Sequence, residues 1–96
     1  MTANFFEFQQ SLREESPPDS FAPHLKAMWY DAKNQWEKAH QTIADMHDQT
    51  AAWVHAYLHR KEGDTGNARY WYEHANKKMP GYSLEKERDE IVMALL

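Results

Sequence analysis

Two histidines and a glutamate are spaced to act together: His55, His59 and Glu62 stand at i, i+4 and i+7. On a 3.6-residue helix that spacing puts both imidazoles and the carboxylate on one narrow stripe, which can present a metal ion or a polar ligand with several contacts. The zinc-protease arrangement is absent, because it needs a Glu directly after its first His and Ala56 takes that place. A four-coordinate site needs help from His40, His47 or His74. The same residues have a structural use as interhelical histidines hydrogen-bonded to Glu37, Asp45 or Asp48.

Other chemistry is thinly represented. Ser11, Ser16, Ser20 and Ser83 all fall at expected helix ends or caps, with no nucleophile-elbow pattern, and no glycine loop is long enough to cradle a phosphate. Asp31, His40, His55 and His59 could meet for acid-base work, but their spacing does not demand it. The absence of cysteine removes disulfides, thiolate nucleophiles and thiolate metal sites. Arg69-Tyr70-Trp71-Tyr72 resembles a base-stacking surface, yet a formal charge of -4 argues against nucleic acid or an anionic membrane as partner. Trp71 and Tyr72 are expected in the core, with Tyr70 nearer the rim. No apolar run approaches the roughly 20 residues that cross a bilayer, and the N-terminus has no signal-peptide pattern, so a cytoplasmic location is expected.

The elements that must position these residues read as helices throughout. Ninety-six residues with 42% hydrophobic content suffice for one core, and no segment of useful length has the strand period. Asn4 and Glu7 open a helix from about residue 4 to 15 carrying Phe5, Phe8 and Leu12, stopped by Pro17 and Pro18. Asp19 or Ser20 is expected to cap a second helix, with Phe21, Leu25, Met28, Trp29 and Ala32 on its apolar stripe, ending near Lys33. Asn34 and Glu37 open a third helix through Trp36, Ala39, Ile43 and Met46. Asp48 or Thr50 starts a fourth, closed by Gly63; Asp64 or Thr65 caps a fifth, which runs to about Lys78. Ser83 caps the last helix, with Leu84, Ile91, Val92 and Leu95 inward and the run from Glu85 to Glu90 in water.

The chain also repeats itself at an offset of 29 residues: Ala27 meets Ala56, Ala39 meets Ala68, Ile43 meets Tyr72, and the turn Asn34-Gln35 meets Gly63-Asp64. Ala56, Gly63, Asp64, Ala68, Tyr72, Ala75 and Pro80, with Ala27, Tyr30, Asn34, Ala39 and Ile43 in the first copy, resemble the tetratricopeptide repeat. It departs in its shorter spacing, in the missing glycine of the first turn, and in His55 and His59, which stand where the repeat usually has Leu and an aromatic. The stretch H-A-Y-L-H-R-K-E-G-D with a following Y-W-Y also resembles a family of small uncharacterised bacterial and fungal proteins.

The tetratricopeptide resemblance implies an all-α fold of about six helices in a single domain: an N-terminal helix and proline linker (1–18), two stacked helix hairpins (19–80) and a C-terminal covering helix (81–96). It also implies a concave groove whose floor would hold Trp53, Tyr57, Arg60 and Lys61, with Met28 and Asp31 opposite. An aromatic floor beside two cations suits a peptide carboxylate or acidic motif. The expectation is therefore a non-catalytic protein-interaction module without a cofactor, binding a protein or peptide, with a homodimer as one arrangement. The competing arrangement has the last helix covering that floor, with Asp31 and Arg60 paired. The alternative function is a metal-binding or small-molecule-binding protein, or an enzyme, built on His55, His59 and Glu62.

Overall fold

Helix starts in this chain are set by side chains that accept the first unpaired backbone amides. In the computed structural model, which describes residues 4–96, Asn4 accepts from the Glu7 amide, Asp48 from Ala51, Asp64 from Asn67 and Ser83 from Lys86. These caps open α1 (Phe5–Ser11), α4 (Gln49–Glu62), α5 (Thr65–His74) and α6 (Leu84–Leu95). Two further helices, α2 (Pro23–Ala32) and α3 (Trp36–Ile43), complete an all-α fold with no strand among the described residues.

Three helices end in the same way. Asn34 (φ 61°), Gly63 (φ 89°) and Asn76 (φ 56°) adopt the left-handed conformation just beyond α2, α4 and α5. In each exit the next amide reaches back five residues: Gln35 to the Tyr30 carbonyl, Asp64 to His59 and Lys77 to Tyr72, at 2.9, 2.9 and 3.0 Å. Glycine takes this conformation without steric cost, and asparagine is the side chain that tolerates it best.

Four boundaries differ from the sequence expectation. α1 stops at Ser11 instead of near residue 15, because Trp29 Nε1 and Lys33 Nζ donate to the carbonyls of Ser11, Leu12 and Glu14 and the chain leaves in tight turns. α2 begins at Pro23 and not after Asp19 or Ser20; proline has no amide to satisfy and its fixed φ suits the first helical position. Asn34 closes α2 instead of capping α3, leaving Gln35 as the cap of α3. The left-handed Asn76 ends the α5 segment before Lys77 and Lys78, and Lys77 instead lies 4.0 Å over the Trp53 ring.

The helices pair as two hairpins, α2 on α3 and α4 on α5, with α4 central and α6 packed across α2 and α4. The main core joins Phe8, Leu25, Met28, Trp29, Ile43, Val54, Tyr57, Leu58, Ile91 and Val92. Ala56, Ala68 and Tyr72 form a second, smaller core where α4 and α5 touch. Ala68 has no exposed surface there. A bulkier group would overpack the contact, so Ala68→Leu is expected to lose about 1–3 kcal/mol of stability. Urea denaturation checks this, and a curve superimposable on that of the parent would contradict close α4–α5 packing.

Most of the acidic run of α6 faces water, but Glu87 is only 1% exposed. The sequence placed it in the solvated face; the structure corrects that. Its carboxylate accepts from Arg60 Nη1 at 2.9 Å, Trp53 Nε1 at 3.2 Å and the Tyr72 hydroxyl, 2.7 Å from both oxygens. Burying a carboxylate is tolerable only with such partners, and these come from both α4 and α5.

Candidate functional site

The fourth helix carries His55 and His59 one turn apart on the flank that meets α3. From α3, His40 reaches into the same place, one turn beyond Trp36. His40 Nε2 and His55 Nε2 are 2.9 Å apart, and one nitrogen from each of the three rings lies within 4.8 Å of the others. His55 and His59 are buried, at 5% and 7% exposure, while His40 is half-buried.

Indole rings enclose the group. Trp36 stacks on His40 with centroids 5.0 Å apart and meets His59 edge-on, and its Nε1 donates to the Leu58 carbonyl at 2.7 Å. Trp71 stacks on His55 at 4.0 Å. On the second histidine of α4, Nδ1 donates to Glu62 Oε2 at 2.6 Å. Metal-bound histidines are commonly held this way, with the non-ligating nitrogen on a carboxylate.

Proton counting shows what the group lacks. Burial, then the neighbouring His40 and His59, lowers the pKa of His55 to about 4. Burial and His59 also lower that of His40, against the opposing pull of Glu62 and Glu37. Both are therefore neutral at pH 7, each with one N–H and one lone pair. A single proton can serve the His40–His55 contact, and His55 Nδ1 has no hydrogen-bond partner among the described residues. Whichever tautomer His55 adopts, one polar atom of its buried ring is left without a partner among the described residues.

A pH dependence follows for the metal-free protein. His55 titrates near 6.5 when unfolded and near 4 when folded, so between those values the unfolded chain binds more protons. Stability must fall as the pH drops through that window, and the gap corresponds to about 3 kcal/mol. Urea midpoints at pH 7 and pH 4.5, compared between the parent and His55→Gln, isolate this contribution. Equal acid sensitivity of the two proteins would contradict it.

Of the residues singled out in the sequence, His55, His59 and Glu62 come together and His40 joins them. His47 is exposed, and His74 turns its Nδ1 toward the Tyr70 carbonyl at 3.1 Å. Asp48, a candidate carboxylate partner for the stripe, instead pairs with His24 at 2.8 Å and caps α4. A second grouping of His59, Glu62 and Asp64 is more open, and Asp64 is already occupied in capping α5.

The aromatic and basic residues assigned to a groove are tied to the chain itself. Tyr57 and Asp31 are each 1% exposed and Met28 is fully buried. Tyr57 donates to Asp31 Oδ2 and Lys61 to Asp31 Oδ1, both at 2.8 Å, and burial together with Asp31 pushes the Tyr57 pKa up. Arg60 pairs with Glu87 and not with Asp31, and Trp53 shares that carboxylate. Comparison of the chain with protein-family models, with curated proteins and with solved structures returned no match.

Proposed function

We propose that this domain binds a divalent first-row transition metal ion, zinc or one of like size and preference, through His40, His55 and His59. The observation that carries the reading is the convergence of one nitrogen from each ring within 4.8 Å. Tetrahedral zinc with bonds of about 2.0–2.1 Å spaces its ligand nitrogens by about 3.3 Å. The 2.9 Å His40–His55 contact would open by roughly 0.4 Å, and a pair at the 4.8 Å limit would close by about 1.5 Å, as the rings turn toward the ion. Imidazole ligands favour zinc, copper, nickel or iron over magnesium and calcium, which prefer oxygen.

The test is metal content and zinc titration on protein purified without an affinity tag. One ion per chain is expected, with a rise in stability of about 2.7 kcal/mol when free zinc stands at a hundred times its dissociation constant. Absence of both stoichiometric metal and any zinc-dependent stabilisation would end the reading.

A peptide-binding role for Trp53, Tyr57, Arg60, Lys61, Met28 and Asp31 would require α6 to leave, breaking the Glu87 contacts. That cost makes the histidine centre the better supported of the two functions. The matching exits at Asn34 and Gly63, 29 residues apart, support reading the hairpins as two copies of one tetratricopeptide-like unit.

A further inference from the structure

Resting on that metal reading, we infer that the centre keeps its fourth coordination position for a small exchangeable donor, water or a small anion, approaching past His40. Closed zinc sites take all four ligands from the protein, and sites that handle an outside ligand take three. Three imidazoles converge among the described residues; of the carboxylates near them, Glu62 and Asp64 have other partners, and the exposed Glu37 does not join the three rings in one group. Glu62 is bound to His59 Nδ1 at 2.6 Å; turning it to the metal would release the ring it orients. Asp64 accepts from the Asn67 amide at the start of α5.

The direction of approach follows from burial. His55 and His59 are closed off, the first beneath Trp71, whereas His40 is the half-buried member of the three. Size selection follows from Trp36. Its ring lies parallel to His40, within 8°, its centroid is 5.9 Å from that of His59, and its bond to the Leu58 carbonyl fixes it there. A ligand entering beside His40 meets that indole as a wall, so monodentate donors of a few atoms fit better than an aromatic carboxylate. Three neutral imidazoles bring no charge of their own, so the ion's double positive charge favours an anionic fourth donor, offset in part by Glu62 on His59 and by Glu37 near His40.

Cobalt(II) is the probe, since its visible absorption bands report coordination number and ligand exchange. Tag-free protein loaded with one equivalent of cobalt is titrated with azide, with benzoate as the bulky comparison, and the series is repeated in Glu62→Gln. The inference expects four-coordinate bands that shift saturably with azide and not with benzoate. In Glu62→Gln it expects the same band pattern at cobalt affinity reduced about 10–100-fold. Cobalt bound with bands indifferent to azide would overturn the open position while leaving metal binding intact. Loss of the four-coordinate pattern in Glu62→Gln would make Glu62 the fourth ligand and overturn it equally. A benzoate response matching that of azide would overturn the size restriction, and failure to bind cobalt or zinc at all would remove the metal reading and this inference together.

Discussion

Replacing Glu87 with alanine is expected to lower stability by about 3–5 kcal/mol and to loosen α6 from the rest of the domain. Three donors converge on that carboxylate, and Arg60 beside it is largely buried, its side chain 17% exposed. Without Glu87, the guanidinium would keep its contact with the Tyr82 carbonyl but lose its counter-charge, and the Trp53 and Tyr72 donors would lose their acceptor. Domains of this size have only about 5–15 kcal/mol in hand, so the variant should sit near the edge of folding. Glu87→Gln keeps the volume and one acceptor oxygen, and its loss should be smaller. Thermal melts and amide exchange across α6 measure both effects. A Glu87→Ala melt within about 2 °C of the parent would show that the buried pair contributes little, since 1 kcal/mol moves the midpoint by roughly 4–8 °C in a small domain.

His55→Ala is expected to weaken zinc binding by at least a hundredfold, with His40→Ala close behind, while Glu62→Gln should cost only about 10–100-fold because it acts through His59. The ranking separates the roles. A ligand supplies a bond to the ion, whereas an orienting carboxylate supplies the ring's alignment and basicity. His47→Ala, at an exposed position away from the group, should leave the affinity unchanged. Zinc titrations by calorimetry, with far-ultraviolet circular dichroism to confirm folding, read all four variants. If Glu62→Gln were as damaging as His55→Ala, Glu62 would itself be a ligand. If His47→Ala weakened binding equally, the ion would lie elsewhere.

Local chemistry made much of this fold legible. A cap needs only a short polar side chain and an amide three residues on, which is why Asn4 and Ser83 could be recognised from their neighbours, and Asp48 and Asp64 narrowed to one of two candidates each, beside Thr50 and Thr65. Gly63 was legible for a similar reason, whereas Asn34 was ambiguous because the same residue type serves as a cap and as a left-handed exit. The start of α2 turned on a competition between Asp19 or Ser20 and Pro23, and the proline's fixed φ prevailed. Lys77 and Lys78 suit a helix end electrostatically, but the conformation of Asn76 had already taken the chain out of α5.

Tertiary information was the harder part. The His55, His59 and Glu62 stripe is a property of one helix, so spacing revealed it. Choosing His40 over His47 and His74 depended on how α3 lies against α4, which spacing within either helix does not contain. Glu87 did leave a trace: it falls on the apolar stripe three residues after Leu84 and four before Ile91, where a carboxylate must find partners or stay out of the core. Read that way, it also foreshadows the fate of the proposed groove, whose Arg60 and Trp53 are the partners it found.

The most direct measurement of the metal centre is X-ray absorption at the zinc edge on tag-free, zinc-loaded protein. Three imidazole nitrogens at about 2.0–2.1 Å are expected, with their outer-ring scattering, falling by one in His40→Ala. A shell of oxygen ligands alone, or imidazole scattering unchanged in His40→Ala, would contradict a centre built on His40, His55 and His59.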